Sequence, residues 1–493
     1  NVPVWNPDNC IQCNFCSYVC PHAVIRPIAM TEEEAAGAPE GTKTLPMTGM
    51  PQYKFAMTIS ALDCTGCGSC ANVCPGKKGE KALTMVSLEK NVEAQKGFDY
   101  GQTLPIKQDV IDKFKENTVK GSQFKQPLLE FSGACAGCGE TPYAKLITQL
   151  FGDRMYISNA TGCSSIWGNS SPSTPYTVNK AGKGPAWDNS LFEDNAEFGY
   201  GMLLAQNAIR DGLKAKVEAV MAADQASDEV KAACKEWLDT FGIGALNGAA
   251  TDKLVAALDG IDCPNCKEIV KNKDFLAKKS QWVFGGDGWA YDIGFGGVDH
   301  VLASGKDINI MVYDTEVYSN TGGQSSKSTP TGAVAQFAAG GKDTKKKDLA
   351  SIAMSYGYVY VAQISMGADY AQTVKAIAEA EAYPGPSLII AYAPCINHGI
   401  KKGMDKAQTE EKLAVECGYW HNFRYNPAAE KKFVLDSKAP TGDYQAFLKG
   451  EVRYASLALK NPERANALAA RNEEEAKERY QYLNKLVTLY GND

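Results

Sequence analysis

Histidine is scarce in this chain, with four in 493 residues, at His22, His300, His398 and His421. A chemistry resting on imidazole bases therefore has little to draw on. Charge of one sign is lacking too: 51 basic and 57 acidic residues are mixed along the sequence and leave a net charge of -6. No basic face invites nucleic acid and no polybasic run invites a membrane, so small-molecule and protein partners are expected. No apolar run reaches the length of a membrane span, and Asn1 opens the chain without a methionine or a signal peptide. With 44% hydrophobic and 22% charged residues, the composition is that of globular protein with length for two to four domains and a sizeable core.

Cysteine is abundant by contrast, with 16 in the chain, and its spacing is informative. The pattern C-x-x-C-x-x-C-x-x-x-C-P occurs at Cys10, Cys13, Cys16, Cys20 and Pro21, and again at Cys64, Cys67, Cys70, Cys74 and Pro75. Two-residue gaps let thiolates on one tight loop meet adjacent iron atoms, while the distant cysteine supplies a corner of the other cluster. This is the two-cluster bacterial ferredoxin signature. It assigns one 4Fe-4S cluster to Cys10, Cys13, Cys16 and Cys74, and the other to Cys64, Cys67, Cys70 and Cys20. A disulfide framework suits small secreted chains and zinc usually takes paired C-x-x-C units, so both fit less well. The chain is expected to move electrons in a reducing cytoplasm and to be a segment of something longer.

Residues 1 to about 30 and 58 to about 90 are expected to form the cluster-bearing halves of a small α+β ferredoxin-like domain spanning 1–120. Between them, 31–51 is rich in Glu, Ala, Gly and Pro and reads as an inserted surface loop without chemistry. The doubled cysteine motif is the one repeat found. From about Gly121, β-branched apolar runs alternate with longer amphipathic stretches, which predicts an α/β, doubly wound and mostly parallel sheet over 121–493. Strands are expected at 155–157, 281–285, 308–313, 358–364 and 387–392. The part from about Asp443, rich in Ala, Glu and Lys, should be helical and peripheral.

Two of these strands carry a second constellation. The first runs from Gln281 into the turn Gly286-Asp287-Gly288 and a helix beginning near Trp289; the second ends at Asp314-Thr315. A helix of the intervening length makes the strands parallel neighbours, so Asp287 and Thr315 emerge side by side at their carboxyl ends, where such sheets bind ligands. The Asp287 carboxylate, the Thr315 hydroxyl and the Val317 carbonyl offer hard oxygens suited to a magnesium ion that also holds a diphosphate. Gly286 and Gly288 would let the backbone approach the phosphates at a helix N-terminus. Alone, the G-D-G reads as readily as a plain β-turn.

The G-D-G turn followed after one helix by a polar cluster resembles the magnesium-thiamine diphosphate motif. The stretch from Asp314 through Asn320-Thr321-Gly-Gly to Pro330 is similar to a long signature of one family, the pyruvate:ferredoxin (flavodoxin) oxidoreductases. The resemblance covers essentially the whole chain and matches the C-terminal portion of the long single-chain enzyme. It implies a thiamine diphosphate-binding fold over 121–493 and magnesium at Asp287, Thr315 and Val317. The cofactor would lie against Glu140, Cys163, Gly286, Asp287, Gly288, Trp289, Thr315, Glu316, Val317, Tyr318, Ser319 and Asn320, with Glu140 and Asn320 in catalytic roles. By themselves, Glu140 could be a helix N-terminal charge and Asn320 a turn residue.

Gly133-Ala-Cys135-Ala-Gly-Cys138 supplies two more thiols, and Cys163 and Cys395 follow expected strands at the same sheet edge. On spacing alone Cys135 and Cys138 read equally as a redox disulfide or half a zinc site. The resemblance implies that Cys135, Cys138, Cys163 and Cys395 hold a third 4Fe-4S cluster beside the thiamine. Of the remaining four cysteines, Cys234 and Cys417 read as small buried hydrophobes. Cys263-Pro-Asn-Cys266 reads as an inert surface turn in preference to a redox pair. His22 is expected at the surface, and His398 in a structural role rather than a bond near the third cluster.

The resemblance further implies oxidative decarboxylation of pyruvate to acetyl-coenzyme A and carbon dioxide, reversibly, with electrons passing through three clusters to ferredoxin or flavodoxin. In the family, the glutamate that activates the pyrimidine, the residues that hold pyruvate and the coenzyme A domain belong to the N-terminal portion. This chain is therefore expected to be incomplete alone and to act with that portion in a homodimer of the full enzyme. Another 2-oxo acid as substrate, or a non-catalytic electron-transfer subunit, are the alternative readings.

Overall fold

In the computed structural model, which describes residues 1–170, 173–190 and 193–491, five short strands open the chain. They are β1 (Val2–Trp5), β2 (Ile25–Met30), β3 (Leu45–Pro46), β4 (Lys54–Ile59) and β5 (Leu83–Val86). β1 and β5 pair antiparallel, and β2, β4 and β3 form a second antiparallel sheet. The two cysteine runs fold alike because each passes through left-handed backbone at the same two places. These are Gln12 and Asn14 in the first run (φ 57 and 64) and Gly66 and Gly68 in the second (φ 72 and 83). Short helices follow at Phe15–Tyr18 and Ser69–Val73, carrying Cys16 and Cys70.

The 31–51 stretch is not the bare surface loop expected from its composition. Thr31 and Glu34 form a capping box that starts a helix at Glu32–Ala36, and β3 extends the sheet. Met47 and Met50 are buried in the core that also contains Cys16, Cys20 and Cys70. The insert steadies the first cysteine run as well. The Gln12 side chain donates to the Pro46 carbonyl and accepts from the Thr48 N–H, both at 2.9 Å.

The larger sheet is built from β6 (Met155–Asn159), β7 (Ala186–Asn189), β8 (Ser280–Gly286), β9 (Asn309–Asp314), β10 (Tyr360–Ile364), β11 (Ser387–Tyr392), β12 (Phe423–Tyr425) and β13 (Phe433–Leu435). Its order is β13-β12-β10-β11-β9-β8-β6-β7. The six strands from β10 to β7 are parallel, and β12 and β13 add an antiparallel edge. Side chains alternate between two cores: Val283, Ile310, Val312 and Leu388 on one face, Trp282, Phe284, Met311 and Ile389 on the other. A strand buried on both faces reads as an unbroken apolar run, which is why β6, β8, β9, β10 and β11 were legible. β7 is half exposed and polar, and β12 and β13 are three residues each, so none carried such a signal.

Between β7 and β8 lies an insert of four helices, Asn195–Ala222, Asp228–Asp239, Gly244–Leu258 and Pro264–Lys271, with its own core around Trp237, Leu254 and Ile269. Cys234 and Cys417 are buried, as expected. The Cys263/Cys266 pair is not a surface turn: Cys263 caps the fourth helix and Cys266 is buried in the insert core. The C-terminal part is helical (Tyr444–Gly450, Val452–Lys460, Pro462–Tyr490) but not peripheral. Leu483 and Leu486 join the sheet core, and Glu451 and Arg453 reach full burial beside the end of β9. Among the described residues, no helix is long and apolar enough to cross a membrane.

Alanine at position 68 would have to adopt φ 83 with its Cβ 3.3 Å from that of Asp405. Gly68→Ala should therefore destabilise the protein by about 1–2 kcal/mol, the usual cost of left-handed backbone with a Cβ. Asn14→Gly relieves the left-handed backbone but removes the 3.1 Å bond from the buried Asn14 amide to the Lys120 carbonyl. It should cost about 0.5–1.5 kcal/mol through that bond. Asn14→Ala should lose the bond and keep the strain, and so cost more; thermal unfolding midpoints of the variants check the order.

Candidate active site

Folding gathers twelve of the 16 cysteines into three groups of four, each lining one cavity. Cys10, Cys13, Cys16 and Cys74 line one small cavity. Cys20, Cys64, Cys67 and Cys70 line a second with His22 and Thr65. Cys135, Cys138, Cys163 and Cys395 line a larger third, of about 120 Å³, together with Glu140, Trp167, Thr315 and Asn320. The crossing of Cys20 and Cys74 between the two runs is thus a property of the fold. Among the described residues, no three His, Cys, Asp or Glu side chains stand close enough for a single metal ion.

Backbone N–H groups point at the sulfurs in repeated fashion. Gln12 donates to Cys10 and Gly66 to Cys64, both at 3.4 Å, while Ala82 donates to Cys74 at 3.3 Å and Glu140 to Cys138 at 3.4 Å. Such bonds favour thiolates, and burial works against them. Burial raises Cys16 and Cys70 well above the ordinary thiol value, raises Cys138 and Cys163, and pushes Cys395 up to about 11. A thiol so placed gives up its proton only to positive charge, which is what iron in a cluster would bring.

At the ends of β8 and β9, three oxygens converge. Asp287 Oδ1 accepts from the Thr315 N–H (3.1 Å) and the Thr315 hydroxyl (3.0 Å), and that hydroxyl also lies 3.0 Å from the Val317 carbonyl. Asp287 Oδ2 accepts from Ser326 at 2.6 Å. Asp287 and Asp314 are both fully buried, and burial, followed by the charge of Asp314, drives the Asp287 carboxyl well above its ordinary range. The shielded Asp287 carboxylate beside a hydroxyl and a carbonyl suits a divalent cation that takes hard oxygens, whereas Asp314 is already paired with Lys346 at 2.9 Å. Ser326 and Ser328, which donates to Asp314, sit in the polar stretch already singled out, but their contacts could not be read from it.

Around this turn the residues expected at the cofactor divide between the cavity and the core. Helical structure begins at Gly288 as a π-type turn over Gly288–Ile293, and a Cβ on Gly288 would strike the Tyr318 ring at 2.5 Å. In this structure Gly288 makes room for that ring. Trp289 packs into the core between Gly285 and Gly294, away from the cysteine-lined cavity. Glu316 is also turned away, its carboxylate held by Lys346 and Arg453 at 2.8 Å each and by the Tyr419 hydroxyl, which lowers its pKa to about 2 despite burial. Ser319 faces the site, its hydroxyl 3.0 Å from the Cys163 sulfur.

Glu140 is 4% exposed and accepts a 2.7 Å bond from the Trp167 indole; burial pushes its carboxyl up to about 7. Trp167 was not anticipated, since one tryptophan past Cys163 carries no spacing signal. The helix that follows Glu140, Thr141–Phe151, is pinned by Tyr143, whose hydroxyl donates to Tyr392 and Glu411 and accepts from the Met366 N–H. That contact fixes the Cys138 loop relative to the end of β11, which leads to Cys395. His398 is fully buried and bonds the Thr315 carbonyl at 2.7 Å, a structural role; burial lowers its pKa to about 3.

The third group of cysteines also touches the first module. His22 is buried, not superficial: Nε2 lies 3.0 Å from the Ala134 carbonyl and Nδ1 3.3 Å from the Thr65 hydroxyl. The Gly137 N–H bonds the Cys67 sulfur. Lys145, 1% exposed, donates to the carbonyls of Ser17 and Tyr18.

Residues 270–391 match the family described as thiamine pyrophosphate enzyme, C-terminal TPP binding domain, and residues 9–78 match the 4Fe-4S dicluster domain. The chain is 56% identical to the pyruvate-flavodoxin oxidoreductase of Klebsiella pneumoniae over 494 residues, covering 99% of this chain and 42% of that protein. It is 56% identical to the pyruvate:ferredoxin oxidoreductase of Moorella thermoacetica over 501 residues, with the same coverage. The chain therefore spans less than half the length of these relatives.

Burial raises Glu411 from its ordinary 4.5 to about 8. The folded state then holds a proton that the unfolded chain has released, so this contribution is present in full below pH 4.5 and is lost as pH rises through 8. Glu411→Gln should flatten the decline in unfolding free energy between pH 5 and 8 by on the order of 3 kcal/mol. Denaturant titrations of wild type and variant at the two pH values measure it.

Proposed function

We propose, on the premise that this chain is a homologue of the pyruvate-flavodoxin and pyruvate:ferredoxin oxidoreductases, that it is the cofactor and electron-transfer part of an enzyme oxidising pyruvate to acetyl-coenzyme A and carbon dioxide. Residues 1–120 serve as the two-cluster domain and 121–493 as the thiamine diphosphate and magnesium domain with a third cluster. Ferredoxin or flavodoxin takes the electrons, and the full enzyme is a homodimer working in either direction. One observation supports this reading: Cys135, Cys138, Cys163 and Cys395 line the same cavity as Glu140, Asn320 and Thr315, where a cluster would stand beside the diphosphate.

Bound there, thiamine diphosphate supplies the carbanion chemistry that cleaves 2-oxo acids, and iron-sulfur clusters supply one-electron acceptors. The chain's own part is to position and exclude. Asp287, Thr315 and the Val317 carbonyl would hold magnesium beside the diphosphate, while Ser326 and Thr315 orient the Asp287 carboxylate. Glu140, with a pKa near neutrality and an indole N–H on its carboxylate, can hold or release a proton within the cavity, and Asn320 offers an amide on its rim. The Gly137 bond to Cys67 and the His22 bridge support the order third cluster, then the Cys20 cluster, then the Cys10 cluster.

Anaerobically purified protein should carry about twelve iron and twelve acid-labile sulfide per chain, as three cubes require, together with thiamine diphosphate. Asp287→Ala should lose the thiamine and keep the iron. Zinc in place of iron, or thiamine retained by the variant, sinks the assignment. The chain by itself should release no carbon dioxide from pyruvate and coenzyme A, and detection of that release would show that nothing essential lies in the remainder of the longer relatives.

Lys145 adds an electrostatic expectation. Its amine is buried and no carboxylate among the described residues pairs with it. Burial lowers its pKa to about 8, against the opposing negative charge at Cys20 and Cys16, so the ammonium form still prevails at neutral pH. A buried cation favours the more negative, reduced form of a nearby cluster. Lys145→Gln should shift the Cys20 cluster to a more negative midpoint potential and Lys145→Arg should restore it, as read by redox titration with electron paramagnetic resonance.

A further inference from the structure

The pair Cys263 and Cys266 takes no part in the site above and lies in the helical insert between β7 and β8. Cys263 is the N-cap of the helix Pro264–Lys271, and its sulfur accepts the Cys266 N–H at 3.3 Å. Cys266, at the third helical position, is 2% exposed and sits in the insert core, with its thiol against the Cys263 sulfur. Cys263 itself is only half buried, so one sulfur is reachable from solvent and the other only through it. Pro264 presets the backbone of the first turn, which keeps the two sulfurs on the same side of the helix start.

We propose that Cys263 and Cys266 form a reversible redox site, a dithiol that closes to a disulfide by exchange with small-molecule disulfides. Two features divide the labour between the thiols. The helix N-terminus and the hydrogen bond from the Cys266 thiol stabilise a thiolate at Cys263, whose pKa is lowered, whereas burial holds Cys266 protonated. Cys263 is thus the attacking sulfur and Cys266 the resolving one. Its neighbour Cys234 is fully buried in the same core and meets no solvent oxidant.

The exchange balances as follows. The Cys263 thiolate attacks one sulfur of a disulfide R–S–S–R, forming a mixed disulfide and expelling a thiolate that takes up a proton. The Cys266 thiol then loses its proton to solvent and attacks the Cys263 sulfur, expelling the second thiolate, which is protonated in turn. The protein gives up two electrons and two protons and the small disulfide gains both. A dithiol reductant runs the sequence backwards. Because the sulfurs already touch, closure needs no unwinding of the helix.

The cluster-loaded protein, treated anaerobically with millimolar oxidised glutathione and quenched with acid and iodoacetamide, provides the test. Trypsin cuts after Lys253 and Lys267 and releases one peptide holding Cys263 and Cys266 and no other cysteine. In wild type this peptide should lose the mass of two hydrogens, and dithiothreitol should restore both thiols. Cys266→Ser should instead trap glutathione on Cys263, and Cys263→Ser should leave Cys266 unmodified. A wild-type peptide carrying two alkyl groups after the treatment overturns the proposal, as does glutathione on Cys266 or a Cys234–Cys266 bond. The wild-type peptide alone is decisive if a variant does not fold.

Discussion

Parallel pairing of β6, β8, β9 and β11 is the constraint from which the site follows. Asp287 comes directly after β8 and Thr315 directly after β9, while Cys163 and Cys395 follow β6 and β11 within four residues. Since the four strands are neighbours and run the same way, these residues meet at one edge of the sheet. The bonds from Thr315 to Asp287 then tie the end of β8 to that of β9. A register slip of one residue would exchange the two faces of a strand and bury the wrong set. Cores on both sides, with Ile310 and Met311 on opposite faces, hold the register.

The short link after β9 shows how local strain is held by distant charge. Glu316 adopts φ 60, left-handed backbone that costs about 1–2 kcal/mol for a residue with a Cβ. That conformation brings the Thr315 hydroxyl to the Val317 carbonyl while sending the Glu316 side chain the opposite way, into Lys346, Arg453 and Tyr419. Removing one partner of such a buried pair costs about 3–5 kcal/mol, more than the strain, so the ion pairs decide the conformation. Arg453 is itself balanced by Glu451 at 2.7 Å, and His398 anchors the Thr315 carbonyl from the same side. The C-terminal helices thus help hold the Asp287–Thr315 cluster, although they begin about 130 residues after Thr315 in sequence.

The third set of cysteines depends on close approach between segments far apart in the chain. Gly137 stands at φ 76, and a Cβ there would come 2.6 Å from the Met404 carbonyl; at Gly139 it would come 2.6 Å from the Pro394 nitrogen. The loop therefore passes tightly between the cysteine module and the Cys395 turn. Buried His22 and Lys145 complete the joint by bonding backbone on either side of it. Direct bonds thus join the third cysteine group to the second, at Gly137 to Cys67 and through His22 to Ala134 and Thr65.

Composition and spacing alone determined the two cysteine runs, the five central strands and the Asp287 turn. Each is written in local sequence: thiol ligands two residues apart, apolar runs long enough for a doubly buried strand, and a glycine-flanked carboxylate at a strand end. The half-exposed β7, the three-residue β12 and β13, the helical insert and the structured 31–51 segment left no comparable mark. The ferredoxin spacing also paired Cys74 with Cys10 and Cys20 with Cys64, and the family resemblance grouped Cys135 and Cys138 with Cys163 and Cys395. Tertiary structure alone decided that Glu316 turns inward to Lys346 and Arg453, that Trp167 meets Glu140, and that His22 and Lys145 are buried. A single side chain has two or more packing partners open to it until strands and helices are laid against one another. Only burial, with the cost of leaving a charge or a polar group unpaired, selects among them.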